Sequence, residues 1–199
     1  MNKDTLKKLL ERVKDVLLKP REAWETIATE TTEVNDLLKE YLLPLAAIPA
    51  LASFLGMWLI GIWITLGHVV RLSMSRSLLN ALIGYVLTVG GIWLVSRIIA
   101  FMAPRFEAES DERKAFQVAV YGYTPYLAFG IFHLIPRLDA LVFFGGLYSF
   151  YQIYLGLPIV LNAPKEKALP FTISVIVVII LVYFIIGAVS SLIFGPVIG

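Results

Sequence analysis

Two patterns divide the chain. In the opening segment MNKDTLKKLLERVKDVLLKP, the residues Leu6, Leu9, Leu10, Val13, Val16 and Leu17 recur at helical spacing on one face. Lys7, Lys8, Arg12, Lys14 and Asp15 lie elsewhere on the wheel. Asp4 is placed to cap the start, and Pro20 stops the helix. The pattern predicts an amphipathic helix. EAWETIATE predicts a short second helix anchored by Trp24 and Ile27, and TETTEVND reads as a loop. From Tyr41 onward the pattern changes to long apolar runs over 41–67, 78–103, 116–135, 140–161 and 169–198. A helix needs about 20 apolar residues to cross the hydrocarbon of a bilayer, so each run is long enough to span. The expected fold class is all-α integral membrane: a five-helix transmembrane bundle with an amphipathic N-terminal helix. The expected organisation is a charged arm over 1–40 and a membrane domain over 41–199.

Composition agrees with the pattern. The 199 residues are 58% hydrophobic and 16% charged, against about 25% charged for a soluble domain. Mean hydropathy is +0.79. The formal net charge of +2 is too small to argue for nucleic acid. Position matters more than total charge. Residues 1–21 carry seven basic and three acidic side chains, and residues 22–40 carry six acidic side chains against Lys39 alone. A basic amphipathic helix favours the surface of an anionic leaflet, with Lys7, Lys8, Arg12 and Lys14 facing the headgroups. No apolar core follows a basic start in the way a cleavable signal requires.

The distribution of Lys and Arg in short loops sets orientation. An N-terminus in the cytoplasm gathers Arg105, Arg113, Lys114, Lys165 and Lys167 on the same side as the basic arm. Arg71, Arg76 and Arg137 then lie outside, and five spans place the C-terminus outside as well.

The candidate chemistry lies within the spans. Pro125 removes a backbone N–H inside the third run and frees the carbonyl of Tyr121. Pro158 does the same in the fourth, and both are expected bend points. Polar groups inside a span usually face the protein interior. Tyr121, Tyr123, Tyr148, Tyr151 and Gln152 are therefore expected to hydrogen-bond between helices, or to line a groove for a lipid headgroup or substrate. Arg97 is the one charge well inside an apolar run, placed to snorkel toward the cytoplasmic headgroups or to hold a lipid phosphate. His133 is expected as an interfacial hydrogen-bonding residue. Pro136, Arg137 and Asp139 read as a tight turn with a surface ion pair, in which Asp139 caps the next helix.

No catalytic site is expected. There is no Cys, the two His stand apart, and no GxSxG, HExxH or phosphate-binding glycine loop occurs. Neither a metal nor another cofactor is implied.

Several segments together resemble the Yip domain family of Ypt-interacting proteins, and its short bacterial members in particular. They are LLKPREAWETIATE in the arm, YGYTPYLAFGIFHLIPRL at the third run and LYSFYQIYLGLPIVLNAPKEKAL through the fourth. The resemblance extends from about Leu17 to the fifth run. It implies a five-helix membrane domain with a cytoplasmic N-terminus. It also implies residence in a bacterial inner membrane, or in an endomembrane for the eukaryotic branch. Eukaryotic members are implicated in vesicle trafficking and contact Rab-type GTPases. This chain has NDLLKEYLLPLAAIPAL where that branch carries an Asp-Leu-Tyr-Gly-Pro element, so the resemblance carries the fold and not that partner. Two functions follow as expectations. One is a non-enzymatic protein that scaffolds a partner on the cytoplasmic face, or organises anionic lipid, as a monomer or homo-oligomer. The other is a small transporter or lipid translocator.

Overall fold

A computed structural model describes residues 3–65 and 68–194. Its elements in chain order begin with α1 (Lys3–Leu18), α2 (Pro20–Thr29), α3 (Val34–Asp36) and α4 (Leu43–Leu55). The hairpin strands β1 (Ile62–Thr65) and β2 (His68–Val70) come next. After them run α5 (Met74–Met102), α6 (Glu112–Gly122), α7 (Thr124–Phe129), α8 (Asp139–Val160) and α9 (Lys165–Phe194). Among the described residues, three helical stretches are long and apolar enough to cross a membrane: Val34–Ile60, Met74–Phe106 and Pro136–Val160. α9 adds 30 helical residues, about 45 Å at 1.5 Å per residue. The run over 169–198 extends past Phe194, and residues 195–199 lie outside the described part.

The first run departs from expectation at both ends. Its helix begins at Val34, within the stretch expected to be loop and arm. Between α3 and α4 the backbone winds as a π-helix over Leu37–Leu42. Pro44 supplies a physical reason: it cannot donate to the carbonyl of Glu40 and its ring crowds that carbonyl, so a wider turn relieves the clash. A second π turn, Gly56–Ile60, closes the helix. Ile62–Thr65 and His68–Val70 are strands, not the helix that the 41–67 run had suggested. They form an antiparallel hairpin with Ile62 opposite Val70, so the fold is not purely α. The β-branched and aromatic sequence IWIT favours a pleated strand over continued helix.

The third run also differs. It is not one spanning helix but α6, α7 and two 3-10 turns, Gly130–Leu134 and Pro136–Leu138. The break falls at Tyr123, two residues before Pro125. Amides on either side of the break have partners. Tyr123 N–H reaches Ala119 O at 3.1 Å, and Tyr126 N–H donates to Ser149 Oγ on α8 at 3.1 Å.

α6 is the centre of the bundle. Every residue from Ala115 to Gly122 is buried. α5 and α8 flank it, α4 packs on α5 and on the Gly130 turn, and α9 lies against α5 and α8. Gly130 is required where it stands, because a Cβ there would collide with the ring of Pro49 on α4. The outer faces are apolar and exposed: Leu82, Val86 and Phe101 on α5, Phe143 and Phe144 on α8, Ile180 and Phe184 on α9. A soluble monomer rarely exposes apolar area on this scale; a bilayer covers it.

Candidate functional site

Two polar residues of the α8 midsection, Tyr148 and Gln152, are spent on the arm. Gln152 is fully buried. Its amide donates to Val16 O at 2.6 Å and its carbonyl accepts from Trp24 Nε1 at 2.9 Å. Tyr148 donates to Leu17 O at 2.7 Å. Val16 and Leu17 are at the C-terminal end of α1, where helix carbonyls have no partner of their own. Side chains of α8 therefore cap α1. Pro20 begins α2 at once, which turns the chain so that Ala23, Trp24 and Ile27 face the bundle. Trp24 has no exposed surface and packs onto Gly156, where a Cβ would sit 2.8 Å from its ring. Burying a large apolar side chain stabilises by about 1.5–3 kcal/mol. The arm is thus part of the folded bundle.

A second layer lies beside this seat. The Tyr121 ring meets Tyr41 at 4.9 Å and Trp24 at 6.4 Å, both edge-on. Tyr41 OH and Thr124 Oγ1 are 2.8 Å apart and buried. Arg12 stands 5.7 Å over the Tyr121 ring and pairs with Glu30. Burial alone would pull the Arg12 guanidinium down. The hydrogen bond to Glu30 and nearby negative charge outweigh burial and leave it raised above its ordinary value. Arg12 was expected to face headgroups with Lys7, Lys8 and Lys14. It instead turns inward, because Glu30 and an aromatic face are within its reach. Lys7, Lys8 and Lys14 are exposed.

Of the six expected groove residues, Tyr121, Tyr148, Tyr151 and Gln152 are neighbours, directly or through Trp24, while Tyr123 and Arg97 make other contacts. Gln152 and Tyr121 share Trp24 as a neighbour. Tyr148 stacks on Tyr151 at 5.8 Å, and Tyr151 itself is about half exposed. Tyr123 is buried and lies edge-on to Tyr126 at 6.2 Å. Arg97 is elsewhere, paired with Glu112 at the start of α6 and 5.4 Å over the Trp93 ring. Pro158 lies inside α8, two residues before its end. At the opposite end, Asp139 meets His133 at 2.9 Å and is the first residue of α8, so it makes no cap of its own. Sequence reading missed the role of Trp24 in the bundle and the Tyr41–Thr124 and Tyr126–Ser149 bonds. A lone Trp in a polar ten-residue helix was the available signal.

Loops at the arm's end of the bundle are tied together. Arg113 reaches Glu33 at 3.6 Å, and Gln117 donates to Glu30 O at 3.2 Å. Glu109 accepts from Asn162 and pairs with Lys114, and Lys167 meets Glu107 at 3.5 Å. Among the described residues no three His, Asp or Glu side chains converge as metal ligands.

Comparison with known proteins places these features in a wider group. The model of the Yip1 domain matches residues 14–187, from inside α1 nearly to the end of α9. The inner membrane protein YohC of Escherichia coli K12 is 27% identical over 179 residues, covering 88% of this chain and 92% of that protein. The YohC of Escherichia coli O6:H1 is similar to the same degree. No solved structure matches significantly.

Proposed function

The chain belongs to the Yip1 domain family, and from that premise we propose that it is a non-enzymatic, multi-pass protein of a bacterial inner membrane. In this reading its docked arm engages anionic lipid and presents a cytoplasmic surface to a protein partner. The observation that carries the reading is the division of α1. Leu9 and Val16 are buried against the bundle, while Leu6, Leu10 and Leu18 are 42%, 58% and 70% exposed. Lys3, Lys7 and Lys14 form a row on the wheel between Leu6 and Leu10 on one side and Leu18 on the other. An edge of leucines beside lysines suits a helix lying in the headgroup region, its lysines snorkelling to phosphates.

Five crossings, the third made jointly by α6, α7 and the 3-10 turns after them, complete the proposal with a cytoplasmic N-terminus and an outer C-terminus, 1–40 being the arm and 41–199 the membrane domain. Support comes from Arg113, which pairs with Glu33 of the arm, and from Lys114 and Lys167, which pair with Glu109 and Glu107 in the segment leading into the same helix, α6. The YohC relatives carry an inner-membrane name. Translocation is the weaker reading, because Tyr148 and Gln152 are committed to the arm and Arg97 is remote from them.

An environment-sensitive fluorophore at Leu10→Cys tests the lipid contact. Its emission should shift to the blue in vesicles containing anionic lipid, and the shift should shrink when Lys3, Lys7 and Lys14 become Glu. Emission that stays water-like in every vesicle contradicts the reading.

A further inference from the structure

A cleft of about 630 Å³ opens between α1, α2 and the start of the first long helix. Its volume is within the usual range of small-molecule sites, about 300–1,000 Å³. The floor is buried and mostly apolar or aromatic: Leu9, Ala23, Leu37, Tyr41 and Tyr121. The walls and rim are acidic, with Glu11, Asp15, Glu22, Glu30, Asp36 and Glu40 against Lys8, Arg12 and Lys19. Three of those carboxylates have cationic partners: Arg12 with Glu30, Lys19 with Glu22 at 3.3 Å, and Lys7 with Glu11 at 3.9 Å. Asp15, Asp36 and Glu40 have no salt-bridge partner among the described residues, and they face an excess of negative charge.

The Tyr121 hydroxyl is an independent sign of a ligand. Tyr121 is only 4% exposed and lines this cleft. Its ring contacts are satisfied by Trp24, Tyr41 and Arg12, yet among the described residues its hydroxyl makes no hydrogen bond. The hydroxyl oxygen is not fully enclosed, and the surface it keeps opens into the cleft that Tyr121 lines. Tyr41, beside it, has a hydrogen-bond partner in Thr124.

The carboxylates are too dispersed for one metal ion, since no three acidic or His side chains converge among the described residues. Dispersed acids above an apolar floor match an elongated cation with charge at several points along a methylene chain. We propose that the cleft binds a linear polyamine, its chain on the Leu37–Tyr41 floor. One ammonium donates to the Tyr121 hydroxyl, and the others sit at Asp15, Asp36 and Glu40. The proposal is independent of the bilayer contact, which uses the other edge of α1.

Spermidine titrated calorimetrically into the full chain in uncharged maltoside micelles at low salt is the test. The expected result is saturable one-to-one binding. Asp36→Asn with Glu40→Gln should weaken it by about tenfold or more, as loss of charge-assisted hydrogen bonds requires. Tyr121→Phe should weaken it severalfold and leave the melting temperature unchanged, because the hydroxyl it removes holds nothing within the protein. Glu166→Gln, an exposed carboxylate on α9, serves as the control and should bind normally. Heat without saturation overturns the proposal. So does an equal loss in the Glu166 control, or undiminished binding by the Asp36/Glu40 pair variant or by Tyr121→Phe.

Discussion

Gln152 joins two parts of the chain that are 128 and 136 residues apart in sequence, Trp24 and Val16. Gln152→Leu keeps the volume roughly constant but strands the Trp24 N–H and the Val16 carbonyl. Each buried orphan costs about 1–3 kcal/mol, so thermal unfolding in detergent should show a clear loss of stability. Gly156→Ala attacks the same seat sterically. Its new methyl meets the Trp24 ring, and overpacking of this kind costs about 1–3 kcal/mol. A melting temperature unmoved by either change would mean that the arm is not seated on α8. The sequence made Gln152 conspicuous, because an amide in an apolar run must face inward. It did not reveal Gln152's partner. Neighbouring tyrosines were the natural guess, and no periodicity connects residue 152 to residue 24. Arg12 shows the same limit: a helical wheel places it on the polar side and says nothing of Glu30, which arrives from the next helix.

At the scale of elements, hydrophobic runs located α5 and α8 to within a few residues, since a long apolar stretch in a chain of this composition has few alternatives to helix. They failed where local chemistry overrides hydropathy. Pro44 permits a π-wound entry, IWIT prefers a strand, and Pro125 ends one helix and opens another. Short polar ties then hold the elements at the arm's end. Glu109 links the segment before α6 to the loop after α8 through Asn162, and its backbone N–H donates to Leu161 O at 2.8 Å. The hydrogen bond from Lys114 first, and that from Asn162 second, hold the Glu109 carboxyl below its ordinary value of 4.5. The folded form prefers the carboxylate, so the tie contributes fully above that ordinary value. Its contribution fades as pH falls through the lowered one. Amide exchange in residues 107–110, corrected for the intrinsic rate, should therefore rise on acidification below about pH 4.5. Glu109→Gln should flatten that rise. A profile unchanged by the substitution would assign the loosening to another group.

The whole molecule is a helical bundle with exposed apolar sides, a polar end closed by its own arm, and a hairpin at the other end. The natural absence of Cys makes its topology directly readable. Single cysteines at Ser110 and Lys165 should resist an impermeant maleimide in intact spheroplasts and react in inverted vesicles, and one at Arg71 should do the reverse. Labelling of 110 and 71 from the same side would refute the proposed orientation. The arm is a built-in part of the bundle and not a free tether beside it. Hydrogen exchange of the full chain in nanodiscs tests this claim most directly. If the claim holds, amides of α2 are protected nearly as strongly as those of α6, and Gln152→Leu selectively raises exchange over residues 16–29 while α6 stays closed. If α2 instead exchanges as fast as the adjoining loop at 30–33 in the unaltered protein, the arm is not docked and the claim is wrong.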